Sequence, residues 1–126
     1  MKVLLVNGAP HEKGCTYTAL CEVEKSLNAQ GIKTEIFHIG KKPIGGCLGC
    51  GACGKIGKCV QNDVVNEFAE KAKTADGFVF GSPVYYASPA GALISFMNRV
   101  FYSGGKYLAY KPAAAVVSSR RAGSTT

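Results

Sequence analysis

The sequence contains few acidic residues and no run of basic residues interleaved with aromatic ones. Lysine and arginine together number 15 against 8 aspartates and glutamates, which leaves a formal net charge of +7. Without a basic and aromatic run, a nucleic-acid partner is disfavoured. The positive excess indicates either a scattered solvated surface or an acidic partner, such as a small electron carrier or a nucleotide cofactor.

Neither an export signal nor a membrane span is apparent. The apolar residues between Lys2 and Asn7 are too few for the core of a signal peptide. Residues 77–98 carry no charge and are long enough to span a bilayer, but glycines and prolines interrupt them at Gly81, Pro83, Pro89 and Gly91. We therefore expect a cytoplasmic protein whose six cysteines serve metal or redox chemistry rather than disulfides.

Two common nucleotide motifs are missing from the turn at residues 7–18. Gly8 and Gly14 are one residue too far apart for the loop that binds nucleoside triphosphates, and Cys15 stands in place of its lysine. The dinucleotide pattern G-x-G-x-x-G does not follow the opening strand either. What remains is a buried strand, a glycine-containing turn and a helix start, which suits one terminal phosphate, as in flavin mononucleotide (FMN). The alternative is an ordinary turn without a ligand.

The order of the predicted elements favours a single α/β domain over residues 1–126 with a parallel sheet. Strands are predicted at residues 3–6, 33–39, 77–81 and 113–117, and helices at 19–30, 64–73 and 89–101, the last with Ser88 as its N-cap. The loops that follow the strands would meet at one rim of the sheet, where parallel sheets bind ligands. The fourth strand is apolar throughout, so we expect the polypeptide to continue or a partner subunit to cover this strand.

A loop rich in cysteine and glycine occupies residues 40–62. Its cysteines follow the spacing C-x2-C-x2-C-x5-C, and they are Cys47, Cys50, Cys53 and Cys59. Compact runs of this kind ligate [4Fe–4S] clusters in ferredoxins, whereas structural zinc sites usually combine two separated C-x2-C pairs. The spacing predicts a cluster site, and the alternative is a loop that only packs at a subunit interface.

Three segments resemble, in the same order, the flavodoxin-like family of NAD(P)H-dependent FMN reductases and iron–sulfur flavoproteins. They are residues 7–16, the cysteine loop and residues 81–86. The resemblance implies a doubly wound parallel sheet in the order 2-1-3-4-5, of which the last strand and helix are missing from this chain. It also implies a homodimer or homotetramer.

The same resemblance implies which residues contact the cofactor. The phosphate would be bound by Ala9, His11, Gly14, Cys15, Thr16 and Tyr17, and the ring by Pro83, Val84, Tyr85 and Tyr86. Residues 118–123 would lie near the pyrimidine edge, with Ser118 and Arg120 as contacts. Ala9 and Cys15 stand where the family commonly has serine and asparagine, so the phosphate loses two side-chain donors here. Alternatively, Tyr85 and Tyr86 pack at a subunit interface.

We therefore expect an FMN-dependent oxidoreductase of the NAD(P)H-dependent flavin or quinone type. The flavin performs the electron transfer, and no side chain is assigned a catalytic role. The electron donor would be NAD(P)H or, if a cluster is present, a ferredoxin-like protein. Two other functions stay open at this point: a non-catalytic electron carrier or redox sensor, and a zinc-binding interaction module.

Overall fold

In the computed structural model, which describes residues 1–122, parallel strands form one sheet with helices on both faces. The elements in chain order are β1 (Lys2–Asn7), α1 (Cys15–Ala29), β2 (Lys33–His38), α2 (Cys53–Ile56), α3 (Val64–Ala72), β3 (Gly77–Tyr85), β4 (Ser88–Pro89), α4 (Gly91–Leu108) and β5 (Ala113–Ser118). The parallel strands lie in the order β2-β1-β3-β5, and β4 pairs antiparallel with the end of β3. The short strand β4 was not predicted, so β5 corresponds to the predicted fourth strand. The α/β fold and the order of the parallel strands are therefore confirmed.

The central strand β1 is buried on both faces, as its uninterrupted apolar sequence predicts. Val3 and Leu5 point to one side and pack with Leu20 of α1. Leu4 and Val6 point to the other side and belong to the larger cluster under α3 and α4. The alternation of side chains along the strand therefore explains the two separate layers of the core.

Phe68 of α3 lies at the centre of the larger cluster and is fully buried. Its ring centroid is 5.2 Å from that of Phe96 and 5.4 Å from that of Phe37, both in edge-to-face geometry. Aromatic pairs of this geometry stabilise a core beyond the area that they bury. The contacts fix α3 and α4 against β2, and they thereby anchor both ends of the cysteine loop, which connects β2 to α3.

Three predicted element boundaries differ from the structure. Helix α1 begins at Cys15 and not at residue 19, and the cysteine loop contains the short helix α2. Ser88 and Pro89 do not start a helix; they form β4, because Tyr86 (φ 50°) and Ala87 (φ 57°) make a two-residue turn of left-handed conformation. Helix α4 begins two residues later, with Ala90 as its N-cap.

The turn that follows β1 lies very close to the backbone of β3. The amide of Gly8 donates a hydrogen bond to the carbonyl oxygen of Gly81 at 2.8 Å. A Cβ atom on Gly8 would lie 2.8 Å from that oxygen and 2.8 Å from Leu93, and a Cβ on Gly81 would lie 2.9 Å from both Thr16 and Leu20. Glycine is therefore required at both positions by the available space.

Within residues 1–122, no helix combines the length and the apolar character needed to cross a membrane.

Strand β5 pairs with β3 from Phe78↔Ala113 to Pro83↔Ser118. Its carboxyl end is thereby placed beside Pro83, at the same rim as the turn after β1.

The close approach at Gly8 predicts a large effect of one added methyl group. Gly8→Ala would force the methyl against a backbone oxygen, so we expect the free energy of unfolding to fall by about 1–3 kcal/mol. The matched control is Gly91→Ala, where the new Cβ has no described atom within 4 Å and the expected change is below about 0.5 kcal/mol. Urea denaturation of both variants measures the difference. Equal free energies of unfolding for Gly8→Ala and Gly91→Ala would contradict the requirement for glycine at residue 8.

Glu35 of β2 predicts a specific pH dependence of stability. Its carboxylate accepts hydrogen bonds from Lys2 and Lys71, which hold the pKa of Glu35 below its ordinary value of 4.5. A lowered folded-state pKa gives stabilisation that is present above the unfolded pKa and is lost as the pH falls through the folded pKa. We expect Glu35→Gln to lower the free energy of unfolding at neutral pH by at most about 1 kcal/mol, because solvent screens the pairs.

The difference between wild type and Glu35→Gln should shrink as the pH falls below 4.5, measured by urea denaturation at successive pH values. Glu22→Gln, which removes an exposed pair with Lys25 inside α1, is the control and should change stability less than Glu35→Gln does, because solvent screens this pair more strongly. A difference for Glu35→Gln that does not depend on pH would contradict the role of the two lysines.

Candidate functional site: a cleft at the carboxyl edge of the sheet

The turn after β1 is held by side chains that belong to the neighbouring strands. Asn7 is completely buried; its Oδ1 accepts a hydrogen bond from the Ala9 amide at 3.1 Å, and its Nδ2 donates to the Glu12 carbonyl at 3.0 Å. The ring of His38, on β2, contacts the Ala9 carbonyl through Nε2 at 2.8 Å. Since a carbonyl oxygen only accepts, Nε2 carries the proton. The turn therefore has a fixed shape.

Asn7 was not singled out by the sequence analysis as an organiser of this turn. The available signal is an Asn-Gly pair directly after a buried strand, because Asn side chains bond to backbone groups two residues further on. His38 lies too far along the chain for any local pattern to connect it with Ala9.

The first turn of α1 faces the rim with free backbone donors. Its N-cap is Gly14, in an extended conformation (φ −97°, ψ −161°), and no side chain of the described residues caps the helix. The first N–H groups of a helix have no intrahelical acceptor, and the helix dipole makes this end positive. The helix start therefore has the donors that an anion would need.

A cleft of about 370 Å³ opens at this point and joins three segments of the chain. Its lining residues are Ala9, His11, Gly14, Cys15, Thr16, Pro83, Val84, Tyr85, Ser118, Ser119 and Arg120. These include all the predicted cofactor contacts except Tyr17 and Tyr86. The turn after β1, the end of β3 and the end of β5 are thus brought together at one rim. Of the predicted range 118–123, residue 123 lies outside the described residues.

The two remaining predicted contacts lie elsewhere. Tyr17 lines a separate cavity with Glu12, Glu24 and His38. A side-chain hydrogen bond with Cys21, one turn further along α1, raises the pKa of the Tyr17 hydroxyl. Tyr86 is fully exposed at the tip of the turn between β3 and β4, whereas Tyr85 is half-exposed and lines the cleft.

Threonine hydroxyls in the first turn of α1 already have partners within the protein. The Oγ1 of Thr16, which is buried, lies 2.9 Å from the Oγ of Ser118 on β5. The Oγ1 of Thr18 donates to the Gly14 carbonyl at 3.2 Å. The first contact ties the helix start to the end of β5 across the floor of the cleft, so an anion bound here would depend mainly on the backbone amides.

The end of β3 is fixed by Ser82. Its hydroxyl donates to the Pro83 carbonyl at 2.8 Å and accepts a hydrogen bond from the Ala90 amide at 3.0 Å. The bond from Ala90 joins the strand end to the start of α4, and the bond to Pro83 lies within β3 itself. A flat ligand lying on this segment would meet backbone groups and the Tyr85 ring.

A second cavity, of about 220 Å³, is lined by all four cysteines of the predicted cluster site. The full set is Cys47, Leu48, Gly49, Cys50, Gly51, Cys53, Cys59, Val60, Gln61, Arg99, Tyr102 and Ser103. Gly49 (φ 64°) and Gly51 (φ 68°) take left-handed conformations that other residues rarely adopt. The loop therefore turns repeatedly around the cavity, and the amide of Gly49 donates to the Cys47 sulfur at 3.5 Å.

Arg99 of α4 was missed by the sequence analysis, although it organises the cysteine loop. Its side chain is completely buried and forms a bidentate pair with Asp63, at 2.7 and 2.8 Å. The pairing with Asp63 raises the pKa of Arg99. The same guanidinium donates to the Cys59 sulfur through Nε and Nη2, both at 3.4 Å, and to the carbonyls of Gly45 and Gln61. The available signal was a lone arginine inside the apolar stripe of a helix.

The cysteines share a cavity without converging on a single ion site. Within residues 1–122, no group of three or more histidine, cysteine, aspartate or glutamate side chains is placed to hold a metal ion. All six cysteines are free thiols. A zinc site requires four ligands around one ion, so the zinc-binding alternative is not favoured. The arrangement of the described residues does not show the predicted [4Fe–4S] site either.

Comparisons with known proteins agree with this geometry. The model of the NADPH-dependent FMN reductase family matches residues 1–126. An iron–sulfur flavoprotein of Methanocaldococcus jannaschii is 36% identical over 99 residues, covering 79% of this chain and 51% of that protein. An iron–sulfur flavoprotein of Clostridioides difficile is 31% identical over 125 residues, covering 97% of this chain and 56% of that protein.

Among solved structures, RosB with bound 8-demethyl-8-formylriboflavin-5'-phosphate superposes with a TM-score of 0.76 at 16% identity, covering 99% of this chain and 54% of that one. At this identity the likeness concerns the fold alone. The chain spans about half the length of the curated relatives it matches. Because the family model covers every residue and the cleft lies where the fold predicts it, the chain belongs to the NADPH-dependent FMN reductase family.

Proposed function

We propose that this chain forms the FMN-binding part of an NAD(P)H-dependent oxidoreductase of the flavin or quinone type. The observation that carries the proposal is the single cleft lined by both the turn after β1 and the end of β3. The turn after β1 leads to the free backbone donors of α1, which suit a phosphate. The end of β3 offers the aromatic side chain of Tyr85, which suits a flat ring. Membership of an NADPH-dependent FMN reductase family supports the same function.

At the phosphate end, the chain supplies backbone donors at the start of α1. The amides there are uncapped by any described side chain, and the turn is held in place by Asn7 and His38 before a ligand arrives. Binding to a turn of fixed shape loses little conformational entropy. His11 and Arg120 line the cleft, and Arg120 would add positive charge that favours an anionic ligand.

At the ring end, Pro83, Val84 and Tyr85 line the cleft. Tyr85 presents an aromatic surface, and the Ser82 hydroxyl joins the end of β3 to the start of α4. Bound FMN would supply the hydride and single-electron chemistry itself. The chain holds and orients the ring, and no side chain is assigned an acid, base or nucleophile role. Turnover with NADPH, rather than stoichiometric reduction, separates a reductase from an electron carrier.

The cysteine loop is proposed to hold a [4Fe–4S] cluster through Cys47, Cys50, Cys53 and Cys59. The donor set is suitable, because all four thiols line one cavity and two of the sulfurs already accept N–H hydrogen bonds. Such bonds to ligand sulfur are a usual feature of the surroundings of these clusters. Two relatives of this chain are named as iron–sulfur flavoproteins.

The proposed partners and location follow from the same function. A homodimer or homotetramer would cover exposed aromatic residues such as Tyr86 and Tyr102. The net charge of +7 suits an acidic, ferredoxin-like electron donor. Free thiols at all six cysteines favour a reducing compartment, for which we propose the cytoplasm.

A carboxylate placed at the start of α1 tests the phosphate site. Cys15 is exposed, is the first residue of α1 and lines the cleft. Cys15→Asp favours the helix dipole but repels a phosphate, so we expect FMN affinity to fall about tenfold or more. Affinity for riboflavin, which lacks the phosphate, should stay the same. FMN and riboflavin fluorescence titrations of the full-length protein measure both values.

The control is Cys15→Asn, which has the shape of the aspartate variant without its charge and restores the amide donor common in the family, so its FMN affinity should equal or exceed that of the wild type. Equal FMN affinity in all three proteins would place the phosphate elsewhere. Wild-type protein that binds FMN no more tightly than riboflavin would contradict the phosphate site itself.

Iron and acid-labile sulfide analysis of anaerobically purified protein tests the cluster. We expect about four of each per chain in the wild type and loss of both after Cys50→Ser or Cys59→Ser. The control Cys21→Ser alters a half-buried thiol on α1 and should retain the iron. Zinc alone, or no metal, would contradict the cluster and leave the FMN proposal standing.

A further inference from the structure

The strongest unexplained feature of the molecule is a buried cation against a cysteine sulfur. Arg99 is 1% exposed, and its guanidinium directs Nε and Nη2 to the same atom, the Sγ of Cys59, at 3.4 Å each. The other three predicted ligands have no comparable contact with a charged group among the described residues. Nothing in the phosphate or ring site of the cleft uses Arg99.

The other contacts of Arg99 fix where this cation lies. Asp63 accepts from Nη1 and Nη2, and the carbonyl oxygens of Gly45 and Gln61 accept from the same two nitrogens at 3.3 and 2.9 Å. These acceptors come from both ends of the cysteine loop. The planar fork of five donors is suited to several acceptors at fixed angles, which a lysine ammonium does not reproduce.

The backbone of Cys59 is held independently. Its amide donates to Oδ1 of Asn66 at 3.0 Å, and its carbonyl accepts from Nδ2 of the same residue at 3.0 Å. Asn66 belongs to α3, whereas Arg99 belongs to α4. The packing of these two helices therefore sets both the main chain and the sulfur of Cys59, while Cys47 and Cys50 stay exposed.

We propose that Arg99 is a positioning residue for the Cys59 ligand and sets the reduction potential of the group bound by the cysteine loop. This inference rests on the proposed cluster. Two N–H donors on one ligand sulfur withdraw negative charge from it, and this stabilises the reduced, more negative form of the group. Asp63 opposes the effect, since its carboxylate competes for the same guanidinium.

The test is a redox titration of anaerobically purified protein, followed by electron paramagnetic resonance. Arg99→Lys keeps the positive charge beside Asp63 but removes the guanidinium that directs two N–H donors to the Cys59 sulfur. We expect the equilibrium constant for reduction to fall about tenfold, which is 59 mV for one electron. Asp63→Asn retains the helix cap and frees the guanidinium, so the potential should move in the opposite, positive direction.

The opposite signs separate this role from a merely structural one. A loop that is only loosened would lose iron in both variants without shifting the potential in two directions. If Arg99→Lys does not fold, as judged by circular dichroism, the sign of the Asp63→Asn shift decides: no shift or a negative shift overturns the inference. Wild-type protein without iron and sulfide overturns both this inference and the cluster. A wild-type cluster with unchanged potentials in both variants overturns the inference alone.

Discussion

The whole functional rim depends on the close approach of two backbones at Gly8 and Gly81. The amide of Gly8 bonds directly to the carbonyl of Gly81, and neither position has space for a Cβ atom. This contact brings the turn after β1 against the end of β3, so the segments proposed to bind the phosphate and the ring line the same cleft. A side chain at either residue would push the two halves of the cleft apart.

Buried polar side chains then give each loop its shape. Asn7, Thr16, Ser82 and Arg99 are buried polar residues near the rim or the cysteine loop, and each bonds to a segment distant in the chain or to a neighbouring loop. No buried side-chain nitrogen or oxygen within residues 1–122 lacks a partner. Satisfied polar groups of this kind specify a single loop conformation, because leaving any of them unpaired is unfavourable.

The two cavities share one structural origin. Helix α4 starts at the cleft, where Ala90 bonds to Ser82, and its later turns carry Arg99 and Tyr102 to the cysteine cavity. A single rigid helix therefore connects the flavin-type site to the sulfur-lined site. Sites supported by rigid elements keep their geometry when a ligand binds, so α4 holds the two cavities at a fixed separation.

Local chemistry along the chain was sufficient to predict the parallel sheet, the glycine-containing turn between β1 and α1 and the grouping of the cysteines. Strand burial, glycine turns and cysteine spacing are encoded by neighbouring residues, so they are legible in the sequence. Three features could not be predicted from neighbouring residues. They are the pairing of Arg99 with Cys59, the contact of His38 with Ala9, and the turn at Tyr86 and Ala87. Each joins residues far apart or overrides a local preference, so only the packing of the folded chain decides it.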